Sequence, residues 1–319
     1  FISDKLLVKL SINIFKQHLP KMIGNNGYLL ESSSHYHFLI SRSIEEVVRV
    51  AHWSGDEVFS LWLGEYSFRM QNAARRLVPP CVLSLNNMPR IGDVSPDIPF
   101  DWFDPRLDKG ETGWQKVWGK ILHSEPQVSS DYLDGWSVAN NDSWFLLAYD
   151  HPSNDFYPSG HGHNDFGSFC VFFKELPVIV DIGRFSYDDP KRDKFTGIEN
   201  SCHNIVRVDN KDFIPSGGGF NSVISEIAKQ KTSFYFDNLE TEMLWNFKAN
   251  YGVDWSRRLN FIKESLHVCD NFISLGRRSH KAEGYYYFSP DVEIEFINDN
   301  QWALSYNDIK LKLIIEGAD

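Results

Sequence analysis

The chain of 319 residues carries 43 acidic against 32 basic side chains, and its formal net charge of −11 excludes a nucleic-acid binder that works by neutralising phosphates. No stretch of 18 consecutive apolar residues occurs, so nothing reads as a membrane-spanning helix. Aromatic residues make up 15% of the chain, a share that suits β-sheets and sugar-stacking clefts, and the four widely spaced cysteines predict no disulfide framework.

The first 125 residues read as helical. Apolar residues at three- and four-residue spacing in "SDKLLVKLSINIFKQHL" predict one helix after Ser3. "SIEEVVRVAHW" predicts a second with Ser43 as its N-cap, and "DEVFSLWLGEYSFRMQNAARRL" a third that ends at Pro79-Pro80. A long irregular loop over 86–110 follows, punctuated by Pro89, Gly92, Pro96, Pro99 and Pro105, and "ETGWQKVWGKILH" predicts one more helix. The chain opens at Phe1 inside a periodic apolar segment, so it is expected to be a piece of a longer protein whose export signal would lie upstream.

From residue 131 to 319 the character changes. Eleven short runs rich in Val, Ile, Phe and Tyr, from "SWFLLAYDH" to "IKLKLIIEG", are separated by Gly, Asn, Asp and Pro turns. Parallel strands would need crossover helices between them, so this pattern predicts an antiparallel β-sandwich.

The chemistry-bearing residues concentrate in "YPSGHGHNDFGSF". In extended backbone His161 and His163, two apart, share one face and can address one site together. Asp181 closes the apolar run "VIVD", a place where a carboxylate is expensive unless paired or bound to metal. His203 opens a later strand, and His163, Asp181 and His203 form a two-imidazole, one-carboxylate set that suits zinc. His163 and Asp165 with His203 would equally match the facial triad of a non-haem iron oxygenase. Arg184, Lys191, Arg192, Lys194, Arg257, Arg258, Arg277 and Arg278 are candidate partners for substrate carboxylates or sulfates, and Trp102 in the long loop could stack on a sugar.

"GHGHNDFGSFCVFFKELPVIVDIGRFSYDDPKRDKFTGIENSCHNIVRVDN" resembles the β-sandwich signature of the heparinase II/III family of polysaccharide lyases. Tyr187, Arg192, Thr196, His203, Asn204 and Asp209 fill its later places, with a longer spacing between Thr196 and His203 than the family pattern. "NNGYLLESSSHYHF" is similar to the family's helical-domain segment, through Gly27, Glu31, Ser33, Tyr36 and His37, and "PRIGDVSPD" to its P-x-x-G-D loop. The resemblance implies a partial (α/α) toroid over 1–125 followed by an antiparallel β-sandwich, with an acidic polysaccharide in the cleft between them. It implies Tyr36 and His161 as catalytic residues, and zinc held by His163, Asp181 and His203 as a structural ion beside the cleft. Glu31, Arg184, Arg192 and Trp102 are expected at the substrate, Glu31 alternatively as a helix-start residue holding Tyr36. The implied activity is β-elimination on a heparan-like, alginate-like or bacterial surface polymer containing uronic acid, in a periplasmic or secreted protein. The family also uses an Asn or His upstream of the tyrosine, a position that would precede Phe1. A non-catalytic, zinc-stabilised carbohydrate-binding protein of surface-polysaccharide metabolism is the alternative from another class.

Overall fold

A computed structural model describes residues 4–79, 88–94, 131–140, 143–149, 161–174, 176–184, 197–212, 231–236, 240–250, 252–262 and 265–316. Three helices come first: α1 (Lys5–Met22), α2 (Ser34–Trp53) and α3 (Glu57–Arg76). α1 and α3 lie where the periodicity predicts them, and the Asp4 and Asp56 carboxylates cap their first turns. α2 begins nine residues before the Ser43 start, because the Ser33 hydroxyl is the cap that accepts the Tyr36 N–H. The helix predicted over 111–123 and most of the 86–110 loop lie outside the described residues.

Fourteen strands follow among the described residues, where eleven are expected. The first sheet holds β1 (Asp131–Leu133), β2 (Trp136–Asn140), β3 (Trp144–Tyr149), β4 (Phe169–Phe173) and β5 (Leu176–Ile179), antiparallel in that order. The unexpected β1–β2 hairpin turns at Asp134-Gly135, both at positive φ, an Asp-Gly signature of a tight hairpin. A second antiparallel sheet, ordered β10-β9-β8-β7, contains β7 (Lys231–Phe236), β8 (Glu240–Asn250), β9 (Val253–Ile262) and β10 (Ser265–Ser274). β6 (Val206–Val208) pairs with β11 (Ala282–Gly284), and β12 (Glu293–Asn298), β13 (Gln301–Tyr306) and β14 (Ile309–Ile314) complete the chain. The run "GYYYFSP" is not a regular strand; Phe288 makes only an isolated bridge to Ile179.

The two-residue period of the first sheet decides the architecture. One face carries Trp136, Val138, Phe145, Leu147, Tyr149, Cys170 and Phe172 into a core shared with Tyr28, Phe38, Ala73, Ala74 and Leu77 of the helical segment. The other face carries Ala139, Trp144, Leu146, Ala148, Phe169 and Val171 against Met243, Trp255, Leu259 and Phe261 of the second sheet. The first sheet is therefore buried on both sides, which explains strands such as "WFLLAY" with no polar alternation. Helices, sheet and sheet form three layers, and the loops at one end of the first sheet meet the start of α2.

Candidate active site

The site is assembled where α2 begins. Ser33 caps Tyr36 from behind, and the Ser33 hydroxyl donates to the Asp93 carbonyl at 2.7 Å. Ser34 adds a hydroxyl bond to the Pro89 carbonyl at 2.7 Å, so the segment 88–94 is stitched along the first turn of the helix. On its other side the Asp93 N–H donates to the His161 carbonyl at 3.0 Å. Between these two contacts Gly92 sits at φ +71°, and an added Cβ there would collide with the carbonyls of Ser32 and His161. The helix start, the 88–94 loop and the loop bearing the imidazoles thus lie in van der Waals contact.

The result is a direct stack of Tyr36 on His161, ring centroids 3.7 Å apart and planes within 14°. Two residues far apart in sequence, both expected at the chemistry, meet face to face. The loop bearing His161 and His163 is not a regular strand, yet both imidazoles reach one carboxylate. Asp93 accepts from His161 Nδ1 at 3.1 Å through Oδ2 and from His163 Nε2 at 2.8 Å through Oδ1. Arg184 Nη1 bridges both Asp93 oxygens at 3.3 and 3.2 Å. Glu31 lies on the far edge of His161, its Oε2 3.5 Å from Nε2. Glu31 therefore lies beside His161 and Arg184 on the Asp93 carboxylate, while Arg192 and Trp102 lie outside the described residues. Asp93 is the residue that motif reading left without a role, although it is the Asp of the P-x-x-G-D loop in "PRIGDVSPD".

Behind the stack is a second cluster. His203 Nδ1 donates to Asp181 Oδ2 at 2.7 Å, while Asp181 Oδ1 accepts the Gly183 N–H at 2.8 Å. The His163 and His203 ring centroids are 5.2 Å apart. His163 Nδ1, His203 Nε2 and both Asp165 oxygens are buried without a hydrogen-bond partner. Burial works to lower the His203 pKa, but the Asp181 carboxylate beside it, with Asp165 and Glu199, holds it above the ordinary value. Burial pushes the Asp165 carboxyl up to about 6 against the pull of His203 and His163. Among the described residues no three such side chains converge to coordination distance. Even so, the bare buried nitrogens of His163 and His203 and the bare Asp165 carboxylate are the chemistry a divalent cation satisfies, and Asp181 adjoins them through His203 Nδ1, so the residues fit zinc.

Other motif residues hold the fold. The Asn204 amide donates to the Phe169 and Val180 carbonyls and accepts from the Tyr287 N–H, and Asp209 accepts from His280 and the Lys281 N–H. Arg257, read as a candidate substrate cation, is fully buried instead. Its guanidinium forks onto Asp270 at 2.8 and 2.9 Å and donates to the Gly167 and Asn204 carbonyls.

The sequence model of a family described as "Heparinase II/III-like, C-terminal" matches residues 134–313. Among solved structures, heparan sulfate lyase HepC from Pedobacter heparinus superposes with a TM-score of 0.70 at 17% identity, covering 93% of this chain and 46% of that one. A mutant of the same protein gives a TM-score of 0.71 over the same shares. A heparinase III gives 0.69 at 16% identity, covering 92% and 46%. At such identities the likeness is one of fold, and this chain spans a little under half the length of those structures. Curated proteins provide no match.

Proposed function

Because the chain belongs to the heparinase II/III-like family, we propose that it carries the catalytic face of a polysaccharide lyase acting on a polymer that contains uronic acid. The three helices are then the closing part of an (α/α) toroid over 1–125, and the sandwich over 131–319 is the second wall of the cleft. The observation that carries this reading is the stack of Tyr36 on His161 with a buried carboxylate behind the imidazole.

In β-elimination the proton on the carbon next to the uronate carboxylate is removed, a double bond forms to the neighbouring carbon, and that carbon's bond to the glycosidic oxygen breaks. The oxygen leaves with a proton. The carbon acid is weak while the carboxylate keeps its full charge, so groups that neutralise the developing dianion matter most, each worth about 3 to 4 kcal/mol. Rings stacked this closely leave no space for a sugar between their planes. The uronate therefore meets Tyr36 and His161 at their edges. Tyr36 exchanges a proton with the departing oxygen, and His161 acts as base or as carboxylate neutraliser according to the stereochemistry of the uronate. Glu31 borders the Nε2 edge of His161 and Arg184 lies beyond the Nδ1 edge on Asp93, and Arg192 and Trp102 are proposed as further substrate contacts.

We assign zinc to His163, His203 and Asp181, with Asp165 the other carboxylate near them. When bound, the ion supplies a cross-link between the 161–165 loop, the end of β5 and the segment at 203. No helix among the described residues is long and apolar enough to cross a membrane, and a periplasmic or secreted setting fits a polysaccharide substrate.

Full-length protein incubated with heparan sulfate, heparin or alginate should generate the ultraviolet absorbance of the new conjugated double bond. Tyr36→Phe and His161→Ala should each reduce that rate by at least about 100-fold. Elemental analysis should return zinc; iron would favour the oxygenase reading built on Asp165. Tight polymer binding with no absorbance on any acidic polymer would favour a non-catalytic carbohydrate-binding protein.

A further inference from the structure

The geometry points to Asp93 as the positioning residue that fixes which nitrogen of His161 is available to substrate. The inference rests on the proposed function for its catalytic meaning, but its physical content stands on the hydrogen bonds alone. Asp93 is wholly buried and sits on a segment tethered on both sides: its N–H is held by the His161 carbonyl, and its carbonyl by the Ser33 hydroxyl that also caps Tyr36. Gly92 excludes any larger residue from the crossing.

Three N–H donors converge on the carboxylate: His161 Nδ1, His163 Nε2 and Arg184 Nη1. An ionised carboxylate only accepts, so each imidazole must place its proton on the nitrogen that faces Asp93. For His161 that leaves Nε2, which makes no hydrogen bond to Glu31 Oε2 at 3.5 Å, on a side chain that is 24% exposed. For His163 it leaves the Nδ1 lone pair bare and buried. One carboxylate thus selects opposite tautomers in two histidines two residues apart, turning one outward and the other inward. Its main chain holds the phenol in register with the first. Arg184 closes the arrangement by balancing the charge, so it acts on Asp93 as well as facing the site.

The tautomer is directly measurable. In full-length protein with nitrogen-15-labelled histidine, with the His161 signals identified by their loss in His161→Ala, the wild-type spectrum should show the proton on Nδ1. Asp93→Asn should move it mainly to Nε2. It should also lower kcat about 10- to 100-fold, the usual scale for losing a group that orients a functional histidine, with KM within about threefold. A wild-type His161 carrying its proton on Nε2 would overturn the inference with no variant having to fold. So would an Asp93→Asn protein in which tautomer and kcat are both unchanged. If no polymer is cleaved by the wild type, the lyase reading fails by itself and the spectrum still decides the role of Asp93.

Discussion

His37, two residues beyond Tyr36, shows how much one buried side chain constrains this part of the molecule. Its Nδ1 accepts the Leu29 N–H at 3.1 Å, and its Nε2 lies 3.0 Å from the Met70 carbonyl, so only the neutral ring with the proton on Nε2 satisfies both partners. Burial lowers its pKa from 6.5 to about 4, against the Met70 carbonyl, which favours the charged form. The folded-state value is depressed, so between pH 6.5 and 4 the unfolded chain binds a proton that the folded chain refuses. The stability this site contributes is complete above that window and is lost as pH falls through it, by up to about 3 kcal/mol. Urea unfolding of wild type and His37→Gln from pH 4 to 7.5 should show a flatter pH dependence in the variant; parallel curves would refute this role. Spacing in the sequence put His161 and His163 on one face and grouped His163 and His203 with Asp181, while the family resemblance added Tyr36; the structure stacks Tyr36 on His161 and bonds His203 to Asp181. Asp93 stood in the P-x-x-G-D loop of the sequence without a role, because its partners lie 68 to 91 residues away, and Arg257 was misjudged, although the alternation of Val253, Trp255, Leu259 and Phe261 places Arg257 on the inward face of β9.

Element boundaries depend on such single contacts. The start of α2 escaped periodicity because "ESSSHYHF" presents three serines and two histidines where apolar positions would announce a helix. Those polar residues are nonetheless interior, with Ser33, Ser34, His35 and His37 all buried and the serines bonded to the 88–94 segment. Ser33→Ala removes both the cap of α2 and the hydroxyl bond to Asp93. Each is worth about 1 kcal/mol, so the unfolding free energy should drop by about 2 kcal/mol in urea titrations. An unchanged midpoint would show that the helix start is held by other contacts. β3, β4 and β5 of the first sheet were legible for the opposite reason. Burial on both faces makes them continuous apolar runs, whereas β8, "ETEMLWNFKAN", mixes charge and bulk and offers no such outline.

At the scale of the whole chain, the helices and the first sheet are joined by a common interior rather than merely placed side by side. Trp136 stacks on Tyr28 from the helical segment with centroids 6.1 Å apart, and packs on Tyr149 of the same sheet at 4.6 Å. Removing that ring in Trp136→Ala should destabilise by about 3 to 5 kcal/mol. It should also divide unfolding into two steps: far-ultraviolet helix signal and near-ultraviolet aromatic signal, coincident in the wild type, should separate in the variant. Coincident transitions in both would mean that other contacts suffice to couple the layers. The segmental order of helices then strands was readable from composition. Which strand face received the helices was not, since both faces are equally apolar. The phenol belongs to one layer and the imidazole to a loop of the next, with 3.7 Å between their ring centres. Chemical competence is consequently a readout of complete docking: a chain that has folded its layers but not seated them owns both groups and possesses no reactive pair.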